Sequence, residues 1–399
     1  MRLLHGDGQV VHLSYCTNVH PAEDLDGIVA QLDRYAVPVR HELGAGRLGL
    51  GLWLAAPVAA VLARSPRRIH RLRHALSSRG LEVVTLNGFP YQGFQQRVVK
   101  HAVYRPDWTT SERLAYTADL AVVLAELLPD DAARGSISTL PLAWREPWDG
   151  AAESAALRNL ARLGDVLDEV RQRTGRAIRV GLEPEPGCVV ETTEQAVDVL
   201  ARLGHPDVGL CLDACHLAVA FEQPDDAVAR LQEAGVPVVK TQASAALAVA
   251  DPSDPATRTA LRGFAEERFL HQVRECPLPG DRARGTDDLD EALEGGGPSG
   301  TAPWHVHFHV PLGSQPGAPA GSPARGGLAS TLPHLEATLA GLFAGPEALT
   351  DHVEAETYTW GVLPPEERPR DDAALAVSIA RELAWLRDTL VAQGLKELD

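Results

Sequence analysis

The sequence predicts a (β/α)₈ barrel, and two observations support this fold class. Short apolar runs alternate with helical stretches at roughly the spacing that such a barrel requires. In addition, five apolar runs in the second half of the chain end in residues that bind metals or transfer protons: Arg179 to Glu185, Val208 to His216, Val238 to Gln242, His305 to His309 and His352 to Glu356. Because the catalytic groups of a barrel lie where its parallel strands end, these five ends are expected to meet at one mouth.

The strands are predicted from short runs that are apolar or alternating, as expected for strands packed between a barrel interior and surrounding helices. Seven of them precede the point at which the rhythm breaks: Val10 to Thr17, Leu48 to Leu54, Leu81 to Leu86, Gly135 to Leu142, Arg179 to Leu182, Val208 to Leu212 and Val236 to Thr241. Two later runs compete to be the eighth strand, His305 to Val310 and His352 to Glu356. We favour His352 to Glu356, because the barrel needs it in order to close.

Helices are predicted where apolar residues recur at helical spacing. They cover Asp24 to Tyr35, Pro57 to Gly80 with an interruption at Pro66, Ser111 to Leu128, Ala151 to Arg173, Thr193 to Leu203, a stretch ending at Glu233, and Asp372 to Gln393, with partial helix between Asp251 and Glu275. Residues 1–399 are expected to form one domain. Two glycine-rich segments, about 280–299 and 313–327, are expected to be loop insertions near the C-terminal strands, the second beside the mouth.

The composition restricts the class of partner. The 399-residue chain has 54 acidic and 37 basic residues and a formal net charge of −17, which opposes binding to nucleic acid or to an anionic membrane. Its five cysteines lack paired spacing and are expected to be reduced thiols. The sequence has neither a leader-like apolar segment nor a run of about 18 apolar residues. We therefore expect a soluble, cytoplasmic protein that acts on a small molecule.

Carboxylates end the fifth and sixth predicted strands. Glu183 follows an apolar strand, and Glu185 shares its face if the backbone stays extended, so the two either share a cation or divide acid and base roles. Asp213 and His216 lie on one turn, where Asp213 can bind a hard cation and His216 can bind the same cation or a substrate hydroxyl. The alternatives are a solvated turn and a helix N-cap beside a buried histidine.

Three histidines, His305, His307 and His309, alternate with apolar residues, so a continuous strand would place all three on one face. Three imidazoles on one face indicate zinc or manganese ligands, and a solvent-facing surface strand is the alternative. Glu354 and Glu356 share a face in the same way. Glu354 is the better ligand candidate, because it lies nearer the apolar body of its strand.

Lys240 and Gln242 end the seventh predicted strand. Lys240 either stabilises an enolate or alkoxide or forms a surface salt bridge, and Gln242 is a candidate for binding metal or substrate. In the first half of the chain, His20 and Asn87 are expected to line the same mouth, which suits recognition of a polyol. The sequence contains no phosphate-binding loop, nucleophile elbow or His-Glu-x-x-His motif.

Taken together, the strand ends at Glu183, Asp213, Gln242 and Glu354 resemble those of the xylose isomerase-like TIM barrels, which include sugar isomerases, keto-sugar epimerases and endonuclease IV. Blocks along nearly the whole chain are similar to those of the EboE family: Cys16 to Pro21, Leu86 to Tyr91, Gly135 to Pro141, Leu182 to Pro186 and Glu356 to Trp360. EboE proteins are described as metabolite traffic proteins, encoded with a prenyltransferase and a sugar-phosphate cyclase. The resemblance therefore implies a role in making or moving a cyclitol-like metabolite.

The resemblance to the superfamily implies functional groups at several strand ends, with metal-binding carboxylates at Glu183, Asp213 and Glu354 and a ligand or substrate-binding histidine at His216. Gln242 stands where many members have histidine, and this departure counts against a three-zinc nuclease centre. His307 and His309 lie where the repair enzymes carry further metal ligands, so the resemblance also allows a second metal ion.

These observations lead to one main hypothesis and two alternatives. The main hypothesis is an isomerase or epimerase of a sugar or cyclitol that uses a divalent metal ion (Zn, Mn or Mg). In it, Glu183 and Glu354 act as general bases on opposite faces of the substrate and Lys240 assists catalysis. The alternatives are a metal-dependent hydrolase or phosphoesterase of the endonuclease IV type and a non-catalytic metabolite-binding protein. The fold is also compatible with a homodimer, because barrels of this kind often form dimers.

Overall fold

Eight parallel strands close into a barrel in the computed structural model, which describes residues 1–313, 327–363, 365 and 368–398. The strands of the described residues are, in chain order, β1 Arg2–Leu4, β2 Val10–Cys16, β3 Leu48–Trp53, β4 Leu81–Asn87, β5 Arg134–Thr139, β6 Ala177–Leu182, β7 Val208–Asp213, β8 Val238–Ala243, β9 Leu247–Val249, β10 Val273–Glu275, β11 Arg284–Thr286, β12 Trp304–Val306, β13 Leu328–Ser330, β14 His352–Ala355 and β15 Lys396–Leu398. The barrel consists of β2 to β8 and β14. This architecture confirms the predicted (β/α)₈ fold class.

The α-helices of the described residues are α1 Leu25–Gln31, α2 Val37–Glu42, α3 Ala56–Ala63, α4 Pro66–Ser77, α5 Ser111–Leu127, α6 Gly150–Thr174, α7 Thr193–Leu203, α8 Ala214–Val219, α9 Pro224–Glu233, α10 Pro255–Arg262, α11 Leu289–Leu293, α12 Leu332–Phe343 and α13 Asp372–Ala392. A π-helical segment, Leu32–Ala36, joins α1 to α2. Pro66 opens α4 and separates it from α3, as predicted. None of these helices combines the length and the apolar composition that crossing a membrane requires.

The barrel closes through β14, which pairs in parallel with β2 on one side and β8 on the other. Glu354 lies opposite Ser14 in the first pairing and opposite Gln242 in the second. The choice of His352 to Glu356 as the eighth strand is therefore confirmed.

Between β8 and β14 the chain forms a second sheet, which we call the insertion sheet, and all of its pairings are antiparallel. Its strand order is β11, β10, β12, β9, β13. The segment at 280–299 is not a plain surface loop, since it contains β11 and α11. Of the second predicted loop insertion, 313–327, residues 314–326 lie outside the described residues. Each insertion strand has only three residues, too few for an alternating pattern to be recognised in the sequence.

Local sequence signals explain where several helices begin and end. Thr192 and Gln195 form a capping box at the start of α7, and Gly204 takes up a left-handed conformation with φ of 63° at its end. Inside the barrel, glycine makes room for a functional side chain, because a Cβ atom on Gly51 of β3 would lie 1.3 Å from Glu354 Oε1. The strands thus position their polar ends, and a small residue opposite allows one of those ends to point inward.

Candidate metal centre

Three buried carboxylates meet at the carboxyl end of the barrel. Glu183 follows β6, Asp213 ends β7 and Glu356 follows β14, and one oxygen atom from each lies within 4.8 Å of the others. We call this group the carboxylate trio. Two of its oxygen atoms, Glu183 Oε2 and Asp213 Oδ2, have no hydrogen-bond partner. Glu356 Oε1 accepts hydrogen bonds of 2.8 Å from the side-chain amides of Asn18 and Asn87. Asn87 thus lies at the mouth of the barrel, where the sequence predicted it.

The electrostatics of the carboxylate trio favour a positive partner. Burial, followed by the neighbouring Glu356 and Asp213, raises the pKa of Glu183 well above its usual value. Burial, followed by Asp213 and Glu354, likewise raises the pKa of Glu356. Carboxylates that are close together away from water cannot all be ionised without a compensating charge. The trio must therefore hold either protons or a cation.

Three imidazoles lie beside the carboxylate trio and form an imidazole trio: His216 on α8, and His307 and His309 after β12. His307 Nε2 lies 3.1 Å from His216 Nε2 and 3.2 Å from His309 Nε2. The other nitrogen of each ring faces an oxygen: Pro184 O at 2.9 Å from His216 Nδ1, Gln272 Oε1 at 2.6 Å from His307 Nδ1, and Glu356 O at 2.8 Å from His309 Nδ1. Each Nδ1 thus has an oxygen acceptor for its proton.

The imidazole trio therefore presents lone pairs to a common point. A carbonyl oxygen can only accept, so the ring nitrogen that faces it carries the proton, and in a neutral ring the Nε2 atom is bare. Burial lowers the pKa of His309 to about 4 and lowers that of His307 well below its usual value, so both rings are neutral near pH 7. Bare nitrogens at 3.1 and 3.2 Å repel each other unless a cation or proton lies between them. Metal-binding histidines are typically held in this way through the opposite nitrogen.

Asp213 connects the two trios. Its Oδ1 atom accepts hydrogen bonds from the backbone amide of His216 at 2.9 Å and from Ser244 Oγ at 2.8 Å, which fixes the carboxylate. Asp213 also belongs to a compact group with His216 and His309, whose ligand atoms lie within 4.8 Å of one another. A second compact group joins Glu185 to His216 and His307. The donor atoms therefore form one continuous centre in which Asp213 is shared.

Lys240 and Glu354 lie deeper in the barrel. Their side chains form an ion pair and are completely excluded from solvent. Lys240 lies two positions before Gln242 on β8, and Glu354 lies two positions before Glu356. Each is therefore about 6–7 Å further from the carboxyl end of its strand than the later residue. The structure thus brings Glu356, rather than Glu354, to the other carboxylates, and Lys240 is an interior residue rather than a rim residue. Gln242 lies opposite Asp213 in the strand register, and both atoms of its amide are buried without a partner.

Two histidines do not join the centre. His20 stacks on Tyr35, with ring centroids 4.0 Å apart, and lines a separate small cavity. His305 contacts Ala218 O at 2.6 Å through Nδ1 and stacks on Phe221. The prediction that His305 shares a face with His307 and His309 is wrong, because β12 ends at Val306 and the alternation ends with it.

An open pocket of about 490 Å³, a volume that includes the solvent at its entrance, lies above the centre. Its floor carries the polar groups and its walls are mainly apolar: Phe89, Pro90, Phe94, Val103, Tyr104, Phe269, Leu270 and Tyr358. Phe94, Phe269 and Tyr358 form a cluster with ring centroids 4.9 to 5.2 Å apart. No periodic pattern in the sequence marks these wall residues or Gln272, since they lie outside the barrel strands and the longer helices.

Comparison with known proteins agrees with the fold. Residues 42–267, more than half of the chain, match the family model described as Xylose isomerase-like TIM barrel. No curated protein matches the chain in sequence. Among solved structures, an L-ribulose 3-epimerase is similar at 12% identity, with 96% of each chain covered and a TM-score of 0.50.

Two further solved structures have slightly lower scores. The D-psicose 3-epimerase of Clostridium cellulolyticum H10, solved with D-tagatose, is 12% identical over 95% of this chain and 99% of its own, with a TM-score of 0.49. A xylose isomerase-like TIM barrel protein of Mycobacterium smegmatis, solved with magnesium, is 15% identical over 95% of this chain and 98% of its own, with a TM-score of 0.48. At these identities the similarity concerns the fold alone. The family match, together with the closed barrel, shows that the chain belongs to the xylose isomerase-like TIM barrel family.

Proposed function

We propose that this protein is a divalent-metal-dependent isomerase or epimerase that acts on a sugar or cyclitol. The observation that carries the proposal is a buried group of carboxylates with unpartnered oxygens, joined through Asp213 to the imidazole trio, below a cavity. The similar fold of an L-ribulose 3-epimerase agrees with this class of reaction. The blocks that resemble EboE support a place in the biosynthesis or traffic of a metabolite.

The donor atoms fit a divalent cation. Glu183 Oε2, Asp213 Oδ2 and the amide oxygen of Gln242 are buried and have no partner, which is costly unless a ligand satisfies them. Oxygen donors of this kind suit magnesium or manganese, and the imidazole trio suits zinc or manganese. We infer that Glu183, Asp213, Glu356 and Gln242 hold one cation and that the imidazole trio, with Asp213, provides a second position.

A bound divalent cation would polarise a carbonyl and an adjacent hydroxyl of the substrate, which makes the neighbouring C–H more acidic. The residues of this chain supply the proton transfer. Glu183 and Glu356 line the cavity from different strands, so their carboxylates are placed to accept a proton from a bound substrate and to return it. Lys240 holds the side chain of Glu354 inside the barrel through their buried ion pair, below the carboxylate trio.

Proton exchange in heavy water is the test for this reaction class. The purified protein, loaded separately with manganese, zinc or magnesium, is incubated in D₂O with ketopentoses, ketohexoses and keto-inositols. We expect deuterium to enter one C–H position of at least one compound, as detected by NMR. Glu183→Gln is expected to abolish this incorporation while the thermal melt of the protein persists. Incorporation that is unchanged in Glu183→Gln would rule out the role of this carboxylate.

A second candidate function is a metal-dependent hydrolase or phosphoesterase, and the imidazole trio favours it, because two adjacent metal positions are typical of phosphoryl chemistry. Two observations weigh against a phosphate substrate. Of the described residues that line the cavity, Lys100 is the basic side chain other than histidine, and it is already paired with Asp288. The net charge of −17 also opposes a nucleic acid. Hydrolysis of a phosphoester panel without any C–H exchange would favour this candidate.

A third candidate is a binding protein that has kept the cavity without turnover. Its signature would be saturable capture of a polyol, measured by calorimetry, with neither exchange nor conversion in any metal-loaded form. We also propose that the protein forms a homodimer in solution, which sedimentation velocity can test directly.

A further inference from the structure

Gln272 lies directly before β10, opposite His307 across the insertion sheet. The backbone amide of His307 donates to Gln272 O at 2.9 Å, which extends the ladder that pairs Val273 with Val306. The side chains of the same two residues also meet, at 2.6 Å between His307 Nδ1 and Gln272 Oε1. Gln272 is completely buried. The backbone and side-chain contacts therefore hold the two residues in a fixed relationship.

The orientation of the Gln272 amide is determined by its other contacts. Its nitrogen lies 2.9 Å from Pro186 O, and a carbonyl oxygen can only accept. The same nitrogen lies 3.0 Å from Tyr104 OH, whose proton is directed to Glu185 Oε1 at 2.7 Å. Both neighbours on this side therefore require an N–H donor. The amide oxygen must consequently be the atom that faces His307.

This orientation decides which nitrogen of His307 carries the proton. An amide oxygen facing Nδ1 requires a proton on Nδ1, so the lone pair is on Nε2, where it points at His216 and His309. With a proton on Nε2 instead, His307 would donate to one of those two rings, and this hydrogen bond would stand where a cation would otherwise lie between the two nitrogens. The choice between these two tautomers is thus a choice between an imidazole trio that binds metal and one that is internally hydrogen bonded.

We propose that Gln272 is a positioning residue that keeps His307 in the Nδ1-protonated tautomer and thereby keeps the imidazole trio competent to bind a metal. This inference rests on the proposed metal centre and adds a residue from the insertion sheet that does not contact the metal position itself. Tyr104 and Glu185 take part by fixing the amide: Tyr104 follows β4 and Glu185 follows β6, so the barrel itself sets the orientation of Gln272. The insertion sheet and two barrel loops act together on one imidazole.

The tautomer can be observed without any metal. In the metal-free protein labelled with ¹⁵N-histidine, two-bond ¹H–¹⁵N spectra distinguish a protonated from a bare ring nitrogen, and a His307→Gln spectrum assigns the signals. We expect His307 of the unsubstituted protein to carry its proton on Nδ1. A proton on Nε2 of His307 in this protein would overturn the proposal without the need for any variant at position 272.

Three variants then separate positioning from packing. Gln272→Leu keeps a similar volume and removes the acceptor, so we expect His307 to shift toward the Nε2-protonated tautomer and cobalt affinity to fall about 10- to 100-fold, the usual effect of losing such a partner. Gln272→Glu keeps an oxygen facing His307, and as a buried, protonated acid it can still donate to Pro186 O, so we expect it to retain the tautomer and most of the affinity. Gln232→Leu, at an exposed position of α9, is the control and is expected to leave both unchanged.

The proposal fails if Gln272→Leu keeps the tautomer and the cobalt affinity of the unsubstituted protein. It also fails if Gln272→Glu loses the tautomer while remaining folded by circular dichroism. If the unsubstituted protein binds neither cobalt nor zinc, the proposed metal-dependent function fails instead, and the tautomer of His307 in the metal-free protein still decides the role of Gln272.

Discussion

Lys240 and Glu354 form an ion pair inside the barrel, with both side chains completely removed from solvent. They lie 114 positions apart in the sequence, on the two strands that meet where the barrel closes. An unpaired charge at such a depth would be very costly, so each residue depends on the other. The pair therefore links closure of the barrel to the charges beneath the candidate metal centre.

Removal of Lys240 tests this dependence. We expect Lys240→Met to lower the free energy of unfolding by about 3–5 kcal/mol, because it leaves Glu354 buried without its partner. The double variant Lys240→Met/Glu354→Leu is expected to recover most of this loss, since an apolar pair can replace a buried ion pair at little cost. Urea unfolding measures the free energy of unfolding of the single and the double variant. Arg97→Met, which breaks an exposed pair with Glu267, is the control and should change little. Equal stability of Lys240→Met and the unsubstituted protein would contradict the dependence.

Gly51 is the second test of the same interior. A methyl group at this position would fall 1.3 Å from Glu354 Oε1, so Gly51→Ala is expected to push Glu354 away from Lys240 and to destabilise the protein by about 1–3 kcal/mol or more. Gly46→Ala is the matched control, because a Cβ atom there meets nothing within 4 Å. Thermal unfolding of both variants decides the question. If Gly51→Ala and Gly46→Ala have the same melting temperature, the space around Glu354 can accommodate a methyl group, and the close approach does not limit stability.

Metal content is the most direct test of the centre. We expect the purified protein to bind at least one divalent cation per chain, as measured by elemental mass spectrometry. Asp213→Ala should lose most of it, because Asp213 is shared between the two trios. Asp226→Ala, at an exposed position of α9, is the control. A protein that takes up neither added manganese nor added zinc would favour the binding-protein candidate.

Glu354 on β14 and Glu356 directly after it are expected to differ in their effect on metal binding. Glu356 belongs to the carboxylate trio, whereas Glu354 is engaged by Lys240. We therefore expect Glu356→Gln to weaken manganese binding more than Glu354→Gln does, in calorimetric titrations at one pH. The opposite order would restore Glu354 as the ligand that the sequence favoured.

Glu382 of α13 gives the protein a specific pH dependence. Burial raises its pKa to about 8, while Thr357 Oγ1 and the backbone amide of Leu312 donate to its Oε1 at 2.6 and 2.7 Å. The folded protein thus holds a proton that the unfolded chain releases near pH 4.3. The contribution of Glu382 to stability is complete below that pH and is lost as the pH rises toward 8, by up to about 1.4 kcal/mol per pH unit.

We expect Glu382→Gln to gain stability relative to the unsubstituted protein as the pH is raised from 5 to 8. Urea unfolding at four pH values measures the difference between the two proteins, so that all other titrating groups cancel. A difference that does not vary with pH would show that Glu382 has an ordinary pKa.

The barrel could be predicted from the sequence because each parallel strand is a continuous apolar run and each run ends in a polar group. The ends at Glu183, Asp213 and Glu356 converge as strand direction alone requires. The insertion sheet could not be predicted, since its three-residue strands are too short for periodicity. For the same reason His305 was expected on the wrong face. The partner of Lys240 could not be predicted either, because a contact between residues 114 positions apart leaves no local pattern in the sequence.

The centre draws its groups from two sources that are separate along the chain. The carboxylate trio comes from barrel strands, whereas His307, His309 and Gln272 come from the segment that carries the insertion sheet. Closure of the barrel by β14 uses none of the insertion strands. The scaffold and the candidate centre therefore depend on different parts of the chain: β14 closes the barrel, and residues 247–310 supply two of the three imidazoles. Variation confined to this one segment could change the chemistry of the protein while its supporting scaffold stays the same.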